Sequence, residues 1–216
     1  MGNKYKAVIF DVDGTLTTTN SWNEITGALG ANEEEHHRIY LARKSGALQL
    51  DQARNLLIAL WRNTGNANED FMRQVFKRTR LRPGAKQAIE YLHTKGYMTC
   101  LITGSNNLFA QEVAHLTKIQ NFYANAAFIF GPDGHLVDYE YEINQGAKKL
   151  EQLKDYCQIK NIKLKDCVVV GDGANDIEMM KASGLGIAVL TEEEDQEIEK
   201  YARFKIKKLT QIKNIL

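Results

Sequence analysis

Proline is almost missing from this chain. Pro83 and Pro132 are the only two in 216 residues, and the 16 glycines follow no period. A fibrous or low-complexity chain is thereby excluded. Cysteine is scarce as well: Cys100, Cys157 and Cys167 are odd in number and widely spaced. They read as reduced thiols, with a cytoplasmic setting as the expectation. None sits beside a candidate base, so a thiol nucleophile is not expected. The five histidines, His36, His37, His93, His115 and His135, form no i, i+4 pair, and no zinc site is expected. No apolar run approaches the ~20 residues of a membrane span. The apolar start of the chain meets Asp11 at once, too early for a secretory leader, and Lys6 breaks the myristoylation pattern. Charge of one sign is lacking too: 28 Lys and Arg against 27 Asp and Glu leave a net +1. No electrostatic case exists for nucleic acid or an anionic membrane as partner. What remains is an ordinary folded composition, 44% apolar and 25% charged, long enough for one large domain or a domain with an insertion.

Short apolar runs recur along the chain. Lys6 to Phe10, Tyr97 to Thr103, Cys167 to Val170 and Gly186 to Leu190 read as buried parallel strands, and Phe204 to Ile206 as a possible fifth. Helical patterns lie between them at Pro83 to Thr94, Leu108 to Leu116, Ala147 to Cys157 and Asp176 to Ala182. Such alternation predicts an α/β fold with a doubly wound parallel sheet. In such sheets ligands bind beyond the carboxyl ends of the strands. Asp11, Thr103 and Asp172 each stand at such an end and should meet in one crevice.

Two stretches break the alternation. Asn20 to Arg80 reads as four helices, Trp22 to Leu29, Glu33 to Lys44, Asp51 to Arg62 and Glu69 to Arg80, separated by Gly-, Asn- and Ser-containing breaks. This predicts an all-helical cap over residues 17–80, with a core made of 1–16 and 81–216. Trp22 and Trp61 are expected in the cap's own core, and Arg78, Arg80 and Arg82 at a solvated hinge. Phe128 to Ile143, with Gly131-Pro132-Asp133-Gly134 at its centre, reads as a β-hairpin, either a small flap or an antiparallel edge. The acidic run Glu192 to Glu194 with Asp195 reads as the solvated start of a helix.

Four local patterns carry chemistry. Asp11-Val12-Asp13-Gly14-Thr15 follows a buried strand directly. Two carboxylates so close need a cation or a shared proton, and Mg²⁺ is a hard ion that takes oxygen ligands. The same residues could equally form an Asx-turn ending the strand. Gly171-Asp172-Gly173-Ala174-Asn175-Asp176 also leaves a strand and opens a helix. It offers two more carboxylates, or else a Gly-rich turn with an Asp cap. Thr103-Gly104-Ser105-Asn106-Asn107 has the hydroxyls and free N–H groups that suit a phosphate, or simply N-caps a helix. Lys148 or Lys149, early in a helix, could bring an ammonium to the crevice.

In order and position these four patterns resemble the haloacid dehalogenase superfamily of aspartate-nucleophile phosphatases. The helical insert after the first motif, and Asp133-Gly134-His135-Leu136 before the lysine helix, resemble its phosphoserine phosphatase-like branch. The resemblance covers nearly the whole chain and implies a Rossmannoid core with a helical cap. It implies that Asp11 is the nucleophile and becomes an aspartyl-phosphate, and that Asp13 is the general acid and base. It implies that Asp11, Asp172 and the backbone carbonyl of Asp13 hold Mg²⁺, with Asp176 ordering the outer shell. Thr103, Gly104 and one lysine, Lys149 in preference to Lys148, would hold the phosphoryl oxygens, with Gly173 and Asn175 bordering the pocket. The chain departs from that branch where the substrate's amino-acid part would bind. Asn20 stands where an acid receives the amine, and Leu57 where an arginine receives the carboxylate, with Glu24, Arg54 and Arg62 nearby.

The expected function is a Mg²⁺-dependent phosphatase of a small phosphorylated metabolite, acting as a monomer or homodimer; a phosphoserine-like substrate stays open but is not supported by the cap residues, which favour a different one. A phosphotransferase or phosphomutase would use the same residues and pass the phosphoryl group to another hydroxyl. A non-catalytic phosphate-binding protein has little support, since each residue type the chemistry needs is present.

Overall fold

The fold is described from a computed structural model, covering residues 4–191 and 197–216. The acidic run at 192–195 lies outside the described residues.

The central strand is β1 (Ala7–Phe10), buried throughout. It pairs in parallel with β2 (Met98–Asn106) on one side and with β5 (Cys167–Gly171) on the other. With β3 (Asn121–Phe130), β4 (Leu136–Tyr141), β6 (Leu185–Val189) and β7 (Phe204–Ile206) they form a seven-stranded sheet of order β4-β3-β2-β1-β5-β6-β7. Among the strand pairs of the described residues, only β3–β4 is antiparallel.

Successive side chains of each strand enter opposite layers. Val8, Phe10, Leu101, Val168 and Val170 face one core, with Ile89 of α5 (Ala85–Thr94) and Phe109 of α6 (Asn107–Thr117). Ala7, Ile9, Cys100, Ile102 and Val169 face the other, with Tyr156 of α7 (Gln145–Ile159) and Met179 of α8 (Ile177–Ala182). Burial on both faces is why the strands read as unbroken apolar runs. The three cysteines are free and buried, and α7 brings Cys157 to Cys167 with sulfurs 3.5 Å apart.

Between β1 and α5 lie α1 (Ser21–Leu29), α2 (Glu33–Lys44), α3 (Leu50–Arg62) and α4 (Glu69–Phe76). Asn20, Asn32 and Asn68 cap the first, second and fourth with their side chains. Helix α4 stops at Phe76 rather than Arg80, because Arg78 N and Thr79 N bond three residues back and tighten the last turn. A bridge between Thr17 and Leu81 joins the insert's two passages to the core. The insert also packs on the sheet. Leu136 N donates to Ala67 O and Glu69 N to Gly134 O, while the Phe76 and Phe109 rings meet edge to face at 5.2 Å.

Two elements differ from the sequence expectation. The 128–143 hairpin is the antiparallel edge of the main sheet, and its first strand starts early, at Asn121. Residues 121–127, rich in Asn and Ala, lack the β-branched pattern of a strand. They are extended because β2 offers a parallel edge to pair with. Strand β2 in turn continues through Thr103-Gly104-Ser105 to Asn106, where pairing with β3 shifts register before α6 begins.

Candidate active site

The register of β1 assembles the site. Phe10 is level with Leu101 on β2 and Val170 on β5, and Asp11 N donates to Val170 O at 3.0 Å. Asp11, Thr103 and Asp172 therefore leave neighbouring strands at one level. Gly14 turns the chain with φ +78°, and a Cβ there would lie 2.0 Å from Asp172 Oδ2, so a side chain at 14 and Asp172 exclude one another.

Asp11, Asp172 and Asp176 present carboxylate oxygens all within 4.8 Å of one another. Lys149 Nζ donates to Asp11 Oδ1 at 2.8 Å and to Asp176 Oδ1 at 2.7 Å, and its side chain has no exposed surface. Lys148 does not reach the site: it is half-exposed and pairs with Glu151 at 3.0 Å. Only Lys149 of the two meets the carboxylates, since neighbours on a helix point about 100° apart. Two of the three ammonium hydrogens of the buried Lys149 are directed at carboxylates.

Three carboxylates against one ammonium leave an excess of negative charge. Burial, then the charges of Asp11 and Asp176, push Asp172 up to about 8 although Thr15 Oγ1 donates to it at 2.6 Å. Burial likewise raises Asp176, opposed by Lys149. Burial would depress the lysine, but Asp11 and Asp176 outweigh it and hold Lys149 above its ordinary value. An all-oxygen donor set with uncompensated negative charge fits a hard divalent cation.

Asp13 points away from that cluster. Ser105 Oγ donates to its Oδ2 at 2.5 Å, Ser21 Oγ to the same oxygen at 3.0 Å, and Ser21 N to Oδ1 at 3.1 Å. Burial pushes Asp13 up to about 7, with the Ser105 bond opposing and the Asp11 charge adding. Asp13 is thus a carboxyl able to hold a proton near neutrality.

Asp11, Asp13 and Asp172 floor a cavity of about 510 Å³ under the helical insert, to which Thr103, Gly104, Gly173 and Asn175 also contribute. Thr103 is fully buried and exchanges hydrogen bonds with Ser105. Trp61 is buried in the core as expected, whereas Trp22 stacks on it at 5.9 Å and also lines the cavity.

Several contributors had no clear sequence signal. Ser21 opens α1 in the insert. Arg82, expected at a solvated hinge, instead donates to Thr15 O at 3.0 Å and to Gly14 O at 2.5 Å, bracing the loop after Asp13. Arg78 and Arg80 are exposed. Gln145, at the start of α7, lines the cavity above Gly104.

A family model described as haloacid dehalogenase-like hydrolase matches residues 5–184. The chain belongs to the haloacid dehalogenase-like hydrolases. Within them it is similar to phosphoserine phosphatases. That of Methanocaldococcus jannaschii is 31% identical over 206 residues, 93% of this chain and 95% of the relative. That of Streptococcus thermophilus is 30% identical over 84% of this chain and 82% of its own length. A phosphoserine phosphatase solved as a phospho-aspartyl intermediate analogue superposes with TM-score 0.78 at 28% identity, covering 99% of this chain and 100% of that one. A substrate-bound phosphoserine phosphatase complex gives 0.76 at 28% identity, covering 99% and 98%. The hydrolase fold is therefore shared along nearly the whole chain. No helix among the described residues is long and apolar enough to cross a membrane.

Proposed function

We propose that this hydrolase is a Mg²⁺-dependent phosphatase of a small phosphate monoester, acting through an aspartyl-phosphate on Asp11. The observation that carries the reading is the meeting of Asp11, Asp172, Asp176 and Lys149 at one buried point, with Asp13 beside it. The match to a phospho-aspartyl intermediate analogue supports it.

In this reading Asp11 and Asp172, with the backbone carbonyl of Asp13, would hold Mg²⁺, and Asp176 would order its surroundings. The ion supplies charge neutralisation that lets a carboxylate approach a phosphoryl dianion. Lys149 holds Asp11 in one orientation and Asp176 in place. Asp11 attacks phosphorus, and Asp13 gives its proton to the leaving oxygen. Asp13 then takes a proton from the water that cleaves the acyl phosphate. Ser21 and Ser105 fix the Asp13 carboxyl, so its proton is delivered at one place. Backbone N–H groups around Thr103 and Gly104, with Asn175, receive phosphoryl oxygens. Residues 17–80 act as a cap over a core of 1–16 and 81–216, excluding water during the chemistry and restricting access to small esters. The buried free thiols are consistent with a cytoplasmic setting.

Phosphate release from an aryl phosphate, with and without Mg²⁺, tests this directly. Release that requires the ion and is abolished by Asp11→Asn is expected. Equal release by that variant would exclude the mechanism.

A further inference from the structure

Above the floor the cavity changes character. Among the described residues, the only acids that line it are Asp11, Asp13 and Asp172, all belonging to the floor. Glu24, the nearest acid of α1, is not in the wall: it accepts hydrogen bonds from Thr79 at 2.8 Å and Thr19 at 3.0 Å. Asn20 is occupied in capping α1, and Leu57 is apolar. No carboxylate of the wall is therefore placed to receive a substrate ammonium.

The wall is aromatic instead. Trp22 is held at 5.2 Å from the Tyr139 ring and 5.9 Å from the Tyr141 ring, while Trp61 stacks on it at 5.9 Å and Phe128 meets it edge-on at 5.8 Å. Aromatic walls can also receive cations, and on Tyr40 and Tyr141 a residue of the chain itself takes that role. The Arg43 guanidinium lies 5.5 Å from the Tyr141 ring centre and 6.0 Å from that of Tyr40. Arg43 is the one lysine or arginine among the described residues lining the cavity. Its guanidinium meets those two rings, and among the described residues no carboxylate pairs with it. Gln145, which accepts from Asn125 at 2.7 Å and donates to Glu142 O at 2.6 Å, sits against Gly104 and lines the same cavity as Tyr141. A half-buried cation without a carboxylate partner, lining a volume of about 510 Å³, calls for an anion on the ligand.

We infer that the substrate is a phosphomonoester whose organic part is planar and apolar, lacks an amine and carries a carboxylate. Trp22, Tyr139 and Tyr141 receive the planar body and Arg43 the carboxylate. This rests on the phosphatase reading above and adds the substrate class to it.

Three series of probes test it with Mg²⁺ present: phenyl phosphate, its 4-carboxy, 4-carboxymethyl and 4-(2-carboxyethyl) derivatives, and 4-(2-aminoethyl)phenyl phosphate beside O-phosphoserine. The best carboxylate member should exceed phenyl phosphate in kcat/KM by about tenfold or more, mainly through KM, as expected for a charged hydrogen bond. The amines should fall below phenyl phosphate. Arg43→Gln should collapse the carboxylate-to-phenyl ratio towards one, and Arg43→Lys should restore part of it. A wild type that prefers phosphoserine or the aryl amine, or a ratio unchanged in Arg43→Gln, overturns the inference. Calorimetric titration with the matching arylphosphonates reads the same preference without turnover. Carboxylate-selective binding with no phosphate release would defeat the phosphatase reading while upholding Arg43 as the carboxylate subsite. Amine-selective or unselective binding would defeat this one.

Discussion

The ammonium of Lys149 lies 2.8 Å from the Asp11 carboxylate although the two residues are 138 positions apart. The same nitrogen bonds Asp176, so one side chain without exposed surface ties the end of β1 to the turn that opens α8. Removing one partner of such a buried group leaves charges uncompensated. Lys149→Met should cost about 3–5 kcal/mol of stability in divalent-free buffer, and phosphate release should drop by at least about 10²-fold. Lys148→Ala, on the exposed pair with Glu151, should stay within about 1 kcal/mol of the parent. Urea melts and initial rates of both variants check this, and equal losses would contradict the assignment.

Gly14 is the second pressure point. Its φ of +78° disfavours a side chain, and a Cβ would meet Asp172. Gly14→Ala should therefore destabilise the fold by about 1–3 kcal/mol and weaken the response to divalent ions, because Asp172 must move. An unchanged melting point and metal titration would show that the loop relaxes freely.

Divalent cations should stabilise the protein. The crowding that raises Asp172 is relieved by a bound ion. At a hundred times its Kd, Mg²⁺ should add about 2.7 kcal/mol. EDTA should reverse the rise in Tm, and Asp172→Asn should abolish most of it. A Tm indifferent to Mg²⁺ at concentrations that support turnover would remove the cation from this site.

His36 sets a pH dependence in the insert. Its ring shares a hydrogen bond with Thr26 Oγ1 at 2.8 Å, beside Trp61. Burial, then His37, lowers its pKa. The unfolded chain takes up this proton near pH ~6.5, the folded one only at lower pH. The stability carried by neutral His36 is thus present above about pH 6.5 and lost as pH falls through the folded value. The gap in Tm between wild type and His36→Asn should narrow from pH 7.5 to pH 5. A gap independent of pH would contradict the buried neutral ring.

Much of this arrangement is visible in the chain before it folds. The order of strands and helices, the helical insert and the acidic strand ends follow from runs of one residue character and from contiguous motifs. Strand 121–127 was not visible, because Asn and Ala have no strand preference of their own and the pairing edge of β2 imposes it. Ser105 lay in a motif read as a phosphate loop, yet its hydroxyl is directed at Asp13. Arg82 looked like a surface residue because its partners, the carbonyls of Gly14 and Thr15, carry no side-chain signature.

The sequence by itself determined the alternating β–α frame and which carboxylates stand at strand ends, since both depend on neighbours a few residues apart. Tertiary structure alone decided that Lys149 and not Lys148 meets Asp11, and that Arg43, Tyr141 and Trp22 share a wall. Those outcomes depend on how each helix is rotated and docked against the sheet. That rotation is set by packing between segments far apart in the chain, which no local pattern records.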